Sequence, residues 1–246
     1  MNYDIKDPRE YGEMYWNKPR EIYMRKHWRH LVYRVIRKYC KNKNVLDLGC
    51  GIGTYTQYAK RWSKLCLGLD LSRRWLKYAK SKASDLDLIC ADAHNIPLRD
   101  RSLDIVVSVG LLEYVERVIV IREMKRILTH GGKLIVSVPN KYSAYRYPAK
   151  LFCKLFRKEY IPKEPSMREM LDLFQINGFS LIGCKMDDGL IWLPDFLDKW
   201  LGQKIYLLLE KLFRVFGYNP FSNIMLFVLE KPQKDEGIML GKSSIQ

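Results

Sequence analysis

The segment Val45 to Thr56, VLDLGCGIGTYT, places Asp47 just ahead of Gly49 and repeats glycine at Gly51 and Gly53. Glycines at this spacing let a chain turn sharply from strand to helix and let a ligand approach the backbone. A dinucleotide fingerprint would carry its third glycine where this chain has Thr54. The G-x-G-x-G arrangement, with an acid inside the preceding strand, instead suits a ligand with a cationic amino acid group that Asp47 can oppose. Asp70, in GLDLS, lies 17 residues beyond Gly53. A carboxylate there can accept both hydroxyls of a ribose, or can simply stand as a charge at a helix N-terminus. Asp92, in CADAHNIPL, can accept from an adenine amino group, and Ala93 leaves room for the ring.

These residues need elements that bring them to one place. Short apolar runs at 44–48, 65–69, 87–90, 104–109 and 133–138 alternate with helical stretches at 54–62, 73–82 and 117–128. Continuous rather than alternating apolar strands indicate a parallel sheet covered on both faces, a doubly wound α/β architecture. Right-handed crossovers then put every strand's C-terminal end, and all three acids, on one edge. Ahead of this core, Trp28, Leu31, Val32, Val35, Ile36 and Tyr39 form one stripe of an amphipathic helix over 20–41. Beyond it come a basic, aromatic insertion after Pro139, a helix from Met167 to Ile176 ended by Asn177-Gly178, and a strand over 179–185. A long helix over about 194–216 and a closing strand over 224–230 follow. His94 and His130 read as turn residues.

With these motifs in place, the chain resembles a class I S-adenosylmethionine-dependent methyltransferase of the small-molecule type that includes quinone and other O-methyltransferases. VLDLGCGIG, GLDLS, ADAHNIPL, LDIVVSVGLLEYV and REMKRILTHGGKLIVSVPN carry the likeness, over roughly Asn44 to Asn140. It implies a Rossmann-like seven-stranded sheet with its last strand antiparallel, an N-terminal helix and a C-terminal helical cap. It also implies S-adenosyl-L-methionine as the cofactor. By this likeness Asp47, Gly49, Cys50, Gly51 and Gly53 hold the methionine part, Asp70 and Leu71 the ribose side, and Asp92 with Ala93 the adenine. Gly110 and Leu111 would border the sulfonium and the acceptor. Many relatives have Leu-Glu-His-Val after the fourth strand; here the order is Leu112-Glu113-Tyr114-Val115. Glu113 and Tyr114 are the candidate catalytic residues, although an unperturbed tyrosine titrates near pH ~10.

The implied organisation is a helical lid over 1–43, the donor-binding core over 44–140, the insertion, cap helix and closing strands over 141–232, and a flexible tail over 233–246. Tyr11, Tyr15 and Trp16 of the lid, with Tyr142 and Tyr145 of the insertion, are expected near the acceptor. The chain has 246 residues and a formal charge of +16, with 13% aromatic content that excludes a disordered chain. From Arg20 to Lys43 there are nine Lys or Arg against one Glu, and from Lys141 to Arg168 eight against two. That excess fits a lipid-like acceptor or peripheral contact with an anionic membrane better than nucleic acid, since no base-holding Asn-Pro-Pro or Asp-Pro-Pro motif follows the fourth strand. An RNA-modifying enzyme and a noncatalytic donor-binding module are the alternatives. The six cysteines form no C-x-x-C pair, so no metal centre is expected. With no signal peptide or spanning segment apparent, a cytoplasmic protein is expected, with peripheral membrane contact as an option; the sequence is silent on oligomeric state.

Overall fold

Runs of valine, leucine and isoleucine form strands here because helices cover them on both sides. β1 (Asn44–Leu48) and β4 (Leu103–Val109) are buried almost without interruption, as is the C-terminal half of β5 (Leu128–Pro139). The computed structural model describes residues 19–143, 155, 164–186, 204 and 224–233. Its remaining strands are β2 (Leu65–Asp70), β3 (Asp87–Cys90), β6 (Ser180–Met186) and β7 (Ile224–Glu230). Together they make one seven-stranded sheet in the order β3-β2-β1-β4-β5-β7-β6. β7 runs antiparallel to both β5 and β6, as the sequence led us to expect of the last strand.

The helices are α1 (Pro19–Tyr39), α2 (Thr54–Lys60), α3 (Arg73–Lys82), α4 (Arg117–Ile127) and α5 (Met167–Ile176). The steps from β1 to β2 and from β2 to β3 move one way along the sheet, and the step from β4 to β5 moves the other way. Right-handed crossovers therefore place α2 and α3 on one face and α4 on the opposite face. The core divides accordingly. Trp28, Leu31, Val32, Val35 and Ile36 of α1 join Ala59 of α2 against one face of the sheet. Val120, Ile121 and Met124 of α4 join Met170 and Phe174 of α5 against the other. Each aliphatic side chain so buried contributes about 1.5–3 kcal/mol, enough to hold α1 on the sheet by its stripe alone. α5 is fixed at its start by a capping box, in which Ser166 and Glu169 each accept from the other's backbone N–H.

Two expectations are corrected. β5 starts at Leu128, where Leu128 pairs with Leu103, rather than at Lys133. The polar stretch Thr129–Lys133 hid this, because its pairing comes from neighbours and not from an apolar run. His130 therefore lies in a strand and not a turn, with Nδ1 3.2 Å from the Pro232 carbonyl oxygen. Phe179 packs into the core just ahead of β6. The expected helix over 194–216 apart from Lys204, the aromatic residues Tyr11, Tyr15, Trp16 and Tyr145, and the tail beyond 233 lie outside the described residues.

Candidate active site

The C-terminal ends of β1, β2, β3 and β4 meet at one edge, and the residues singled out above for the donor, together with Glu113 and Tyr114, lie on or just past those ends. The turn after β1 has left-handed backbone at Gly49 (φ 75°), Gly51 (φ 53°) and Gly53 (φ 77°), so a side chain at any of the three would be strained. Space forbids it as well: a Cβ on Gly53 would come 2.9 Å from Leu86 Cδ1, and one on Gly51 3.2 Å from the ring of Trp75. Four of the loop's N–H groups are already engaged. Those of Gly49 and Cys50 donate to the Leu69 carbonyl at 2.8 and 3.0 Å, and that of Gly53 to Cys50. That of Gly51 donates to Asp70 Oδ2 at 2.8 Å. A phosphate cradle needs such groups pointing outward. This turn offers a close backbone approach flanked by carboxylates, which favours a cationic ligand.

Asp70 is pinned through both oxygens, since Oδ1 accepts from the Ser72 N–H at 2.9 Å. The carboxylate is thereby fixed between the glycine turn and the start of α3, with the exposed side chain of Leu71 beside it. Asp47 lies beneath the turn, 1% exposed. Its Oδ2 accepts a hydrogen bond from Thr56 Oγ1 at 2.6 Å. Burial pushes its carboxyl up to about 7; the Thr56 bonds oppose that rise, and the nearby Asp70 charge adds to it. Cys50 is a buried thiol whose pKa burial also raises.

After β3, Asp92 Oδ1 accepts from the His94 N–H at 2.9 Å and sits 2.6 Å from His94 Nδ1. Chiefly the backbone bond, and then the imidazole, hold the Asp92 carboxyl below its ordinary value. On its other side, His94 Nε2 accepts from the Glu116 N–H at 3.1 Å. The proton consequently belongs on Nδ1, and one imidazole links the loop after β3 to the segment after β4. A second tie holds the same loop further along. Arg126 donates to the carbonyls of Ile96 and Leu98 and to Asp100 and Glu123, while Glu123 accepts from the Ile96 N–H. Ala93 is buried in the core cluster under the loop after β3.

After β4, Gly110 again has left-handed backbone (φ 74°), and a Cβ there would lie 3.6 Å from Glu113 Oε1. The Glu113 carboxylate thus folds back over Gly110 at the edge. Leu111 packs on Gly49, within 3.1 Å of the position a Cβ would take. Tyr114 is 40% exposed and Tyr142 60% exposed. Asn140, buried at the end of β5, holds the Tyr142 N–H at 3.1 Å from Oδ1. Sequence reasoning missed Thr56, Trp75, Asn140 and the linking role of His94. Only Thr56 and Trp75 had a local signal, as inward positions of the first turns of α2 and α3. Among the described residues no group of three His, Cys, Asp or Glu is placed to hold a metal.

A seven-stranded sheet of this order, with acids at the ends of its first three strands, is the fold of class I methyltransferases. The comparisons agree: the family described as methyltransferase domain matches residues 46–136. The demethylmenaquinone methyltransferase of Listeria welshimeri is 31% identical over 192 residues, covering 63% of this chain and 77% of that enzyme. The enzyme of the same name from Thermotoga maritima is 33% identical over 138 residues, or 55% of this chain, which spans only 59% of its length. A methyltransferase structure from Mesorhizobium loti superposes with a TM-score of 0.61 at 20% identity, covering 81% of this chain and 96% of that one. The chain belongs to the S-adenosylmethionine-dependent methyltransferase family, and its cofactor is S-adenosyl-L-methionine. The edge is compatible with that molecule: it is free of side chains at the glycine turn and carries the carboxylates of Asp47, Asp70 and Asp92.

Proposed function

We propose that the protein transfers the donor's methyl group to a small-molecule or lipid-like acceptor, at an oxygen atom. The observation that carries the donor half is Asp70, whose two oxygens are fixed by the N–H groups of Gly51 and Ser72. In this reading Asp70 accepts the ribose hydroxyls, Asp92 the adenine amino group, and Asp47 faces the cationic methionine end. Leu71 covers the sugar and adenine, and Gly49 to Gly53 admit the methionine backbone. A bound sulfonium supplies an already activated methyl group. What the chain must add is placement of the acceptor in line with it. Gly110 and Leu111 border that position, and Glu113, folded over Gly110, is placed to take the proton of a hydroxyl acceptor or to hold it. Tyr114 and Tyr142 supply aromatic walls on the acceptor side. Two relatives are named for a demethylmenaquinone acceptor, which supports an acceptor with an apolar body.

Calorimetry with S-adenosylmethionine tests the donor half. Asp70→Ala should weaken binding by about tenfold or more, the loss of one charged acceptor. Binding unchanged by that substitution would remove Asp70 from the site. For the acceptor half, transfer of a labelled methyl group to a panel of quinols, phenols and carboxylic acids should show an oxygen product. Glu113→Gln should lower kcat on it by about 100-fold while leaving donor affinity unchanged.

A further inference from the structure

The two helical layers differ sharply in charge. From Trp28 to Lys82, which takes in the last twelve residues of α1 and all of α2 and α3, there are fourteen Lys or Arg and two acids. Those acids are Asp47, buried beneath the glycine turn, and Asp70, pinned at the donor edge. No carboxylate from this stretch reaches the outer surface of its layer. On the opposite face, α4 and α5 carry five Lys or Arg, against Glu116 at the start of α4 and Glu123, Glu169 and Asp172 within the helices.

The basic residues are displayed, not merely present. On α1 the positions His30, Arg34, Arg37 and Lys38 form one exposed line, and Lys41 and Lys43 continue it. Backbone bonds from the Asn42 N–H to Trp62 and from the Lys64 N–H to Lys43, both 2.9 Å, bring the turns after α1 and α2 together. Exposed Arg61 and Lys64 thereby join that line, and all five cations of α3 are exposed. Lys60 alone of this set is seen bonded to the acids that follow α3, at 3.1 Å from Asp85.

We propose that this layer docks on an anionic lipid bilayer, held through its phosphate headgroups. Three helices packed side by side on a sheet present a broad face, which suits a planar partner. Unlike the acceptor reading, the proposal needs no chemistry at the donor edge. The aromatic residues of the layer speak for headgroups over a single-stranded nucleic acid. Tyr33 and Tyr58 stack on each other at 3.8 Å, Trp62 lies under Arg37, and Tyr78 lies under Lys82. Each has a ring face already covered, where base stacking would need it open. No large apolar side chain of α1 from Trp28 onward, of α2 or of α3 is exposed, so the attraction is electrostatic and reversible.

Co-sedimentation of the full chain, without methyl donor, tests this. It should bind vesicles of phosphatidylcholine mixed with phosphatidylglycerol, ignore phosphatidylcholine alone, and be released at about 0.5 M salt. The variant Arg34→Glu/Lys41→Glu/Lys77→Glu should lose about 100-fold or more in partitioning. The variant Arg122→Glu/Arg168→Glu/Lys185→Glu makes the same change in net charge away from the layer and should lose far less. An equal loss in both variants would mean that net charge alone is read, and would overturn the assignment. So would absence of vesicle binding, or tighter binding to RNA than to the mixed vesicles under the same salt. Thermal melts of both variants establish that they are folded before either result counts.

Discussion

At the scale of single residues, the donor site proposed here would make Asp47 link donor binding to protons. Its ordinary carboxyl value is 3.8, and burial raises it to about 7 in the folded chain. The folded state therefore keeps this proton through a range where the unfolded chain has lost it. Stability from this group is full below about pH 4 and declines as pH rises toward about 7, by roughly 4 kcal/mol in all. A cationic donor favours the ionised form, so its binding should release protons at and below neutral pH. Calorimetry in buffers of different ionisation enthalpy measures that release, and affinity should rise between about pH 5 and 7 and then level off. Asp47→Asn should abolish the proton release, weaken the donor, and make the unliganded protein more stable above neutral pH. Donor binding with no proton exchange in the wild type would contradict this account. The glycine turn and its acid were legible from the sequence because they are local. Thr56, whose hydroxyl holds Asp47, was missed although its inward place in the first turn of α2 was a local signal, because the pattern marks a buried position and not the partner it bonds.

Between elements, His94 and Arg126 do the joining. The Nδ1 side of His94 holds Asp92, and its Nε2 side holds the N–H of Glu116 at the start of α4. The two contacts can be separated by substitution. In His94→Asn the side-chain amide can still donate to Asp92, so donor affinity should be largely kept while kcat falls. In His94→Gln the carbonyl can still accept from Glu116, so the loss should fall on donor affinity. Steady-state kinetics with direct binding measurements distinguishes the patterns, and identical losses in both variants would reduce His94 to a packing role. Arg126→Ala removes the clamp on the loop between Ile96 and Asp100. Its side chain is 30% exposed, so the cost should be about 1.5–3 kcal/mol in denaturant unfolding, less than for a fully buried pair. Strand and helix positions were largely legible, because burial on both faces leaves continuous apolar runs. These ties were not, since His94 meets Glu116 across 22 positions and Arg126 meets Ile96 across 30, separations that no sequence period encodes.

Across the whole molecule, the charge imbalance is an energetic burden that the fold tolerates. Composition gave the sum of +16 and located part of it in the segment from Arg20 to Lys43. It could not show that α1, α2 and α3 would lie side by side, because that depends on the handedness of the crossovers and the strand order β3-β2-β1. Once they do, like charges on neighbouring helices repel, and the repulsion is largest at low ionic strength. The unfolded chain spreads those charges and avoids most of that repulsion. Raising sodium chloride from about 20 mM to about 500 mM shortens the screening length from roughly 20 Å to about 4 Å, below the spacing between adjacent helices. The melting temperature should therefore rise with salt. Arg34→Glu/Lys41→Glu/Lys77→Glu removes repulsion within the layer and should melt higher than wild type at low salt, with the advantage shrinking at high salt. Arg122→Glu/Arg168→Glu/Lys185→Glu lowers the net charge equally, but in a region already balanced by Glu169 and Asp172, and should gain little. Melts of the three proteins at both salt concentrations decide the matter. If the two variants gain equally, the relevant quantity is total charge and not its segregation onto one layer.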